Sequence, residues 1–327
     1  GLGDVYKRQV QNTGGPEVMT LEDVEIGHPG ADEVRVRHTA IGLNFIDVYF
    51  RTGAYPAQTP FTPGFEAAGV VEAIGDGVNN LSIGDRIAYA AQPIGAYAEE
   101  RLIPADRVVK LPDEIEDRVG AAIMLKGMTT EYLLRRTYAI NAGDIILFHA
   151  AAGGVGLMAC QWASHLGATV IGTVGSEEKA DLAREHGCHH TIIYTQEDFV
   201  EQVKEITDGK GVNVVYDAVG KDTFLKGFDC LRPLGTMVLF GASSGAPEPI
   251  NPALLQAKGS LFLTRPSLFN YIADHESLTQ SALELFDVVS TGAIAVEVNQ
   301  EHALSNAAES HRELEGRRTT GATILIP

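Results

Sequence analysis

Six residues, Ala151-Ala152-Gly153-Gly154-Val155-Gly156, offer the first chemistry in this chain. An apolar run, Asp144 to His149 (DIILFH), leads into them, and a helical pattern from Gly154 to Leu166 follows. A strand, a glycine-rich turn and a helix start, in that order, make an anion site. The helix N-terminus offers N–H groups and a partial positive charge. Gly153 lets the backbone approach a pyrophosphate, and Gly156 lets the helix pack closely on the strand. Against the fingerprint G-x-G-x-x-G, the second and third glycines are present and the first is Ala151. The turn is expected to stay tight without that glycine. A Walker loop is excluded, because no Gly-Lys-Ser/Thr follows. A glycine-rich turn with no ligand is the plain alternative.

If the ligand is a dinucleotide, the next strand should say which one. An acid at its tip would bind the ribose hydroxyls of NAD. Here the strand Ala168 to Val174 ends in Gly175-Ser176-Glu177-Glu178-Lys179, with a small neutral tip. Ser176 can cap the next helix, which puts Lys179 at its third position. A cation there opposes the helix dipole by a few tenths of a kcal/mol, so an anion nearby is expected, and a 2′-phosphate fits. A solvated surface lysine is the alternative, and Glu177 and Glu178 argue against NADP unless they point outward.

Other polar residues sit where apolar ones would be ordinary. Asn44 and Asp47 interrupt Ala40 to Phe50 (AIGLNFIDVYF) and, if buried, need partners. They could serve a ligand or only satisfy backbone groups. Tyr49 and Tyr55 could line a substrate mouth or be rim aromatics. Ser243-Ser244 follows a parallel strand at its carboxyl end, where open α/β sheets bind ligands. Arg265 precedes Pro266 and could equally be a surface residue.

The elements that must hold these residues fall into two kinds. Up to about Pro112 the segments are short, strand-like and punctuated by proline and glycine: EVRVR from Glu33, AGVVEAI from Ala68, RIAY from Arg86. This reads as an irregular, mainly antiparallel domain. From Asp117 to about Thr291, six apolar strands alternate with helices, the last at Leu261 to Thr264. That pattern predicts a doubly wound parallel sheet. The expected division is a β-rich catalytic domain over 1–115 and 292–327, with a dinucleotide-binding domain over 116–291. Ala322 to Ile326 (ATILI) could return to the first domain. The opening GLGDVYKRQ reads as an irregular or non-native leader outside the fold.

Composition bounds the function class. The 327 residues are 45% hydrophobic and 21% charged, enough for two cores. The net charge is −18, which disfavours nucleic acid as a partner. No apolar run approaches the roughly 18 residues of a membrane span. Three cysteines without CxxC spacing fit reduced thiols and a cytoplasmic protein. No targeting segment is visible.

A dinucleotide domain behind a β-rich one is also the layout of zinc alcohol dehydrogenases, whose metal needs thiolate and imidazole ligands. In the turn Pro63 to Gly69, Phe65 stands where the zinc enzymes carry histidine. No cysteine precedes Cys160, and the ten histidines form no ligand-spaced set. No metal is expected.

The chain resembles the zinc-free quinone oxidoreductase branch, related to zeta-crystallin, of the medium-chain dehydrogenase/reductase superfamily. The resemblance runs from Gly14 onward through GGPEV, AIGLNFIDVYFRTGAYP, EAAGVVEAIG, LKGMTTEYLL, FHAAAGGVGLMACQWA, VVYDAVG, FGASSG, LTRPSL and GATILIP. It implies a Rossmann-type doubly wound parallel sheet inserted in a mainly β, partly open GroES-like barrel. It implies a homodimer and NADPH-dependent, metal-free reduction of a quinone. By the resemblance, Asn44, Asp47 and Tyr49 face the nicotinamide side and Tyr55 the substrate mouth. Lys126, Thr130 and Tyr132 contact the cofactor. Gly153, Gly154 and Val155 take the pyrophosphate, and Gly175, Ser176, Lys179 and Tyr194 the 2′-phosphate end. Phe240, Gly241, Ser243, Leu263, Arg265 and Arg317 complete the cofactor set. Leu261 to Leu263, the last strand, is an apolar edge that a two-fold mate could pair. Two other functions remain open: an enone or enoyl-thioester reductase on the same fold, and a cofactor-binding structural or regulatory protein.

Overall fold

The computed structural model describes residues 4–327. The chain forms two compact units. The first comprises residues 4–128, 272–290 and 296–327, and the second 129–271 and 291–295. Two contacts tie the helix His275–Ser290 to the first unit. Leu285 packs against Gly127, and the Arg107 guanidinium donates to the Ile272 and Ala273 carbonyls. The expected limits at 115/116 and 291/292 remain a proposal about domains.

In chain order the first unit begins with β1 (Asp4–Val10), β2 (Met19–Glu25), β3 (Glu33–Gly42), β4 (Glu66–Ile74), β5 (Arg86–Ala90), β6 (Glu100–Pro104) and β7 (Val109–Lys110). The second supplies β8 (Ile145–Phe148), β9 (Thr169–Val174), β10 (His190–Ile193), β11 (Val212–Asp217), β12 (Leu231–Leu239) and β13 (Phe262–Thr264). β14 (Val298–Ala303) and β15 (Ala322–Ile326) return to the first.

The first unit's main sheet runs β14-β15-β3-β4-β5-β7, with β6 also on β3. Alternation makes it: Val34 and Val36 of β3 point inward and are fully buried. They meet Ile87, Ile103 and Leu325 in one core. β1 and β2 form an antiparallel pair beside it, joined by bridges from Lys7 to Ala98 and from Val10 to Phe61. This corrects the expectation for GLGDVYKRQ: Asp4 onward is a regular strand, and only Gly1 to Gly3 lie outside the described residues. The strand hides from a hydropathy reading because its inward Arg8 is charged. Burial is satisfied there by carbonyls: Arg8 donates to Met19 at 2.9 Å, to Leu304 at 3.0 Å and to Ser305.

The second unit is the doubly wound sheet, all parallel, in the order β10-β9-β8-β11-β12-β13. Buried runs such as Val212 to Asp217 give β11 two covered faces. The order reverses at β8, so the carboxyl end of β8 is the topological switch point, where such sheets bind ligands. Between β11 and β12 the helix is short, Phe224–Gly227 continued by one 3-10 turn. β12 begins directly after that turn, at Leu231.

Candidate functional site

The loop leaving β8 carries the phosphate chemistry. Gly153 is extended (φ −80°, ψ 175°), and the helix Gly154–His165 starts after it with no side-chain cap. Its first N–H groups therefore point at a site that an anion can fill. A Cβ at Gly156 would strike the Ala150 carbonyl oxygen and stand 2.7 Å from the Ala151 carbonyl. Only glycine permits that approach. The fingerprint's missing first glycine is compensated on the neighbouring strand. A Cβ at Gly172 of β9 would lie 2.5 Å from the Ala151 methyl, so Gly172 vacates the space that Ala151 fills. The left-handed residue of the turn is Ala150, at φ 57°. The loop is tight without the glycine, at the cost of about 1 kcal/mol of backbone strain.

At the tip of β9, Ser176 caps the helix Glu177–Glu185 by accepting the Lys179 N–H at 3.3 Å. Tyr194 stands over Gly175, its hydroxyl 3.0 Å from where a Cβ would be, and Thr195 donates to the Gly175 carbonyl at 3.2 Å. Gly175, Ser176, Lys179 and Tyr194 thus share one corner. Glu177 turns outward along the helix to Arg184, at 3.1 Å. Glu177 is thereby drawn off this corner, while Glu178 is exposed on the same first turn.

After β11 and β12 the chain is held as a second rim. The N–H groups of Phe240 and Ser243 donate to the Asp217 and Ala218 carbonyls, and Asp217 Oδ1 accepts from Val219 and Gly220. Thr130 and Tyr132 are buried in the same unit, and Tyr132 stacks on Tyr271 with centroids 4.3 Å apart. Leu263 lies within β13 and Arg265 just after it, both exposed.

The first unit holds the remaining candidates, four of them on or beside the helix Phe45–Thr52. Asn44 is clamped at both polar ends. Its Oδ1 accepts from Lys126 Nζ at 2.8 Å, and its Nδ2 donates to Glu66 Oε2 at 2.6 Å. Lys126 also donates to the Leu43 carbonyl at 2.9 Å and lies 3.7 Å from Glu66. Asp47 Oδ2 accepts the Asn44 backbone N–H at 3.0 Å and the Tyr97 hydroxyl at 2.9 Å. Burial pushes the Asp47 carboxyl up to about 7, against these hydrogen bonds and Lys126, which hold it down. Burial likewise raises Glu66, with Lys126 and Asn44 opposing. Tyr49 packs 5.3 Å from Phe45 and 4.9 Å from Tyr55, ring to ring. Arg317 follows the C-cap Gly316 of a later helix, Ala307–Glu315, and is exposed and left-handed at φ 57°.

Sequence reasoning did not single out Glu66, Tyr97, Arg51 or His311 as functional. Glu66 alone left a signal, a carboxylate inside the apolar run FEAAGVV. The others acquire meaning only through contacts across dozens to hundreds of residues.

Residues 30–113 match the family described as alcohol dehydrogenase GroES-like domain, and residues 154–286 the family described as zinc-binding dehydrogenase. A quinone oxidoreductase of Pseudomonas aeruginosa is 52% identical over 315 residues, covering 96% of this chain and 97% of that one. The chain belongs to the zinc-free quinone oxidoreductase branch of the medium-chain dehydrogenase/reductase superfamily. This family also brings in a 2-haloacrylate reductase of a Burkholderia species, 46% identical across 97% of this chain and 98% of the relative. The crystal structure of Escherichia coli quinone oxidoreductase complexed with NADPH superimposes with a TM-score of 0.97 at 47% identity, covering 98% and 100% of the two chains. The zinc in one family description finds no donors here. Phe65 is an apolar ring packed 5.2 Å from Phe50, the cysteines all lie in the second unit, and no group of three candidate ligands exists among the described residues. No helix among them is long and apolar enough to cross a membrane.

Proposed function

We propose that this chain is an NADPH-dependent quinone oxidoreductase that works without a metal. The near-full-length match to the P. aeruginosa quinone oxidoreductase carries the reading. NADPH, when bound, supplies a hydride, and with a proton from water this converts a quinone to its hydroquinone. The protein's part is to bind, orient and keep the site dry. The N–H groups after Gly153 hold the pyrophosphate. Ser176, Lys179 and Tyr194 hold the 2′-phosphate, with Gly175 leaving room for it. Phe240, Gly241, Ser243, Leu263, Arg265 and Arg317 complete the binding set, as Thr130 and Tyr132 do near the nicotinamide. Asn44, fixed by Lys126 and Glu66, presents an oriented amide to the nicotinamide side, and Tyr49 and Tyr55 border the acceptor. A quinone accepts hydride readily, so no side chain has to act as acid before the transfer.

The 2-haloacrylate reductase relative favours a second reading, addition of hydride to a C=C bond beside a carbonyl or carboxylate. Tyr49 or Tyr55 would then supply the proton. NADPH oxidation across a panel of naphthoquinones and α,β-unsaturated ketones and acids decides between them. Turnover of the quinones alone supports the first reading. Turnover of the alkenes alone overturns it, and NADPH binding without turnover of any acceptor points to a structural role.

The protein is further proposed to be cytoplasmic and a homodimer. β13 is hydrogen-bonded only to β12 in its sheet and exposes Phe262 at 62%. An open apolar edge of this kind is what a second copy would cover.

A further inference from the structure

A line of buried polar groups runs through the first unit and does not belong to the cofactor set. Arg51, 1% exposed, donates from NH1 and NH2 to Glu315 at 2.9 and 2.8 Å and from NH1 to His311 Nδ1 at 2.9 Å. A guanidinium cannot accept, so His311 Nδ1 must. Burial and the Arg51 charge push His311 down to about 3, which keeps the ring neutral. Its single proton therefore sits on Nε2 and points at the Tyr97 oxygen, 2.9 Å away. The Tyr97 hydroxyl proton is then committed to Asp47 Oδ2, also 2.9 Å away. Every bond in the line points the same way, from Arg51 into Asp47.

We propose that Tyr97 and His311 are positioning residues for the reacting end: with Arg51 they form a one-way hydrogen-bond chain that keeps Asp47 ionised, and ionised Asp47 holds Asn44 in place.

The geometry around Asp47 explains why the chain matters. Oδ2 already faces two hydrogens, from Tyr97 and from the Asn44 N–H. A proton added there would collide with both. Oδ1 is buried with no partner, so a proton there would be an unsatisfied donor. The charged groups acting directly on Asp47 are Lys126 and Glu66; on its other side stand Tyr97 and the neutral His311, with the Arg51–Glu315 pair behind them. Burial first, and then the Glu66 charge, oppose ionisation, and the balance falls near neutrality, at about 7. When the proton arrives on Oδ1, Oδ2 changes from a carboxylate oxygen to a neutral carbonyl, and its bond from the Asn44 N–H weakens. Its amide keeps Lys126 and Glu66 on a looser backbone anchor. The inference rests on the reading that Asn44 serves the nicotinamide side.

The test uses the full-length protein without cofactor, labelled with carboxyl-13C aspartate, and follows the Asp47 resonance by NMR against pH. Asp47→Asn assigns the resonance. In parallel, NADPH binding is measured by nicotinamide fluorescence over the same pH range. Tyr97→Phe removes one oxygen and keeps the ring. It should raise the Asp47 midpoint by about one pH unit or more, and the pH at which NADPH binding weakens should rise with it. His311→Phe should shift both in the same direction by less, and it serves if Tyr97→Phe does not fold. An unchanged midpoint overturns the chain. A moved midpoint with an unmoved binding profile overturns the positioning role. The carboxyl titration needs no cofactor. Absence of NADPH binding at every pH would therefore show as failure of the cofactor reading, and with it of the positioning role, while the titration still reports on the chain.

Discussion

A lysine in the first turn of a helix works against the helix dipole unless an anion answers it. Lys179 is in that position, beside Ser176 and Tyr194, with Glu177 drawn away to Arg184. Replacing Lys179 by alanine should raise the KM for NADPH about tenfold or more, the worth of one charged hydrogen bond. The KM for NADH should hardly move. Equal losses with the two cofactors would remove Lys179 from phosphate recognition. This residue was legible in the sequence because its argument is local: a strand end, a cap and a helix start within five positions. Asn44 and Asp47 were legible as polar residues in an apolar run. Their partners were not. Tyr97 and His311 stand 214 residues apart in sequence and Arg51 and His311 260, so no window of the chain contains the relation.

Elements behave the same way. The central parallel strands could be read because both of their faces are covered and each is an apolar run. The strand Asp4–Val10 could not, because Arg8 breaks its pattern and is accommodated only by carbonyls of Met19, Leu304 and Ser305. The turn after β8 shows where reading by fingerprint falls short. Its tightness depends on two glycines in different elements: Gly156 in the helix, expected, and Gly172 in β9, which yields space to Ala151. Gly156→Ala places a methyl against backbone atoms that cannot rotate away. It should cost about 1–3 kcal/mol of stability and weaken NADPH binding more than tenfold, read by chemical denaturation and fluorescence titration. Wild-type affinity in that variant would mean the loop is not held against the helix as described.

At the scale of the molecule, a net charge of −18 leaves anion binding to local devices: a helix N-terminus, a lysine, a serine. The same charge opposes self-association, so a dimer must be held by apolar contact and backbone pairing. Sedimentation at micromolar concentration should give twice the chain mass, and Phe262→Asp should shift the protein to monomer by placing charge on the β13 edge. A wild-type monomer at that concentration would dispose of the edge-strand dimer. Segment periodicity was enough for a mainly antiparallel domain and a doubly wound parallel sheet; the GroES-like barrel came from the family resemblance. The proposed dimer rests on a three-residue strand, Phe262–Thr264, whose place as the last of its sheet made it an edge candidate in the sequence.

The placement of sulfur has a consequence for an enzyme of this kind. Quinones alkylate thiolates, and a catalyst that admits one at every turnover risks inactivating itself. All three cysteines are buried: Cys160 and Cys230 are fully enclosed, and Cys188 is 4% exposed with its thiol donating to the His190 carbonyl at 3.2 Å. Burial pushes the Cys230 thiol up to about 12, so it is almost never a thiolate at neutral pH. The Cys188 thiol is drawn the other way, below its usual range, by its hydrogen bond with Cys160, so at that position enclosure rather than acidity keeps sulfur away from an electrophilic guest.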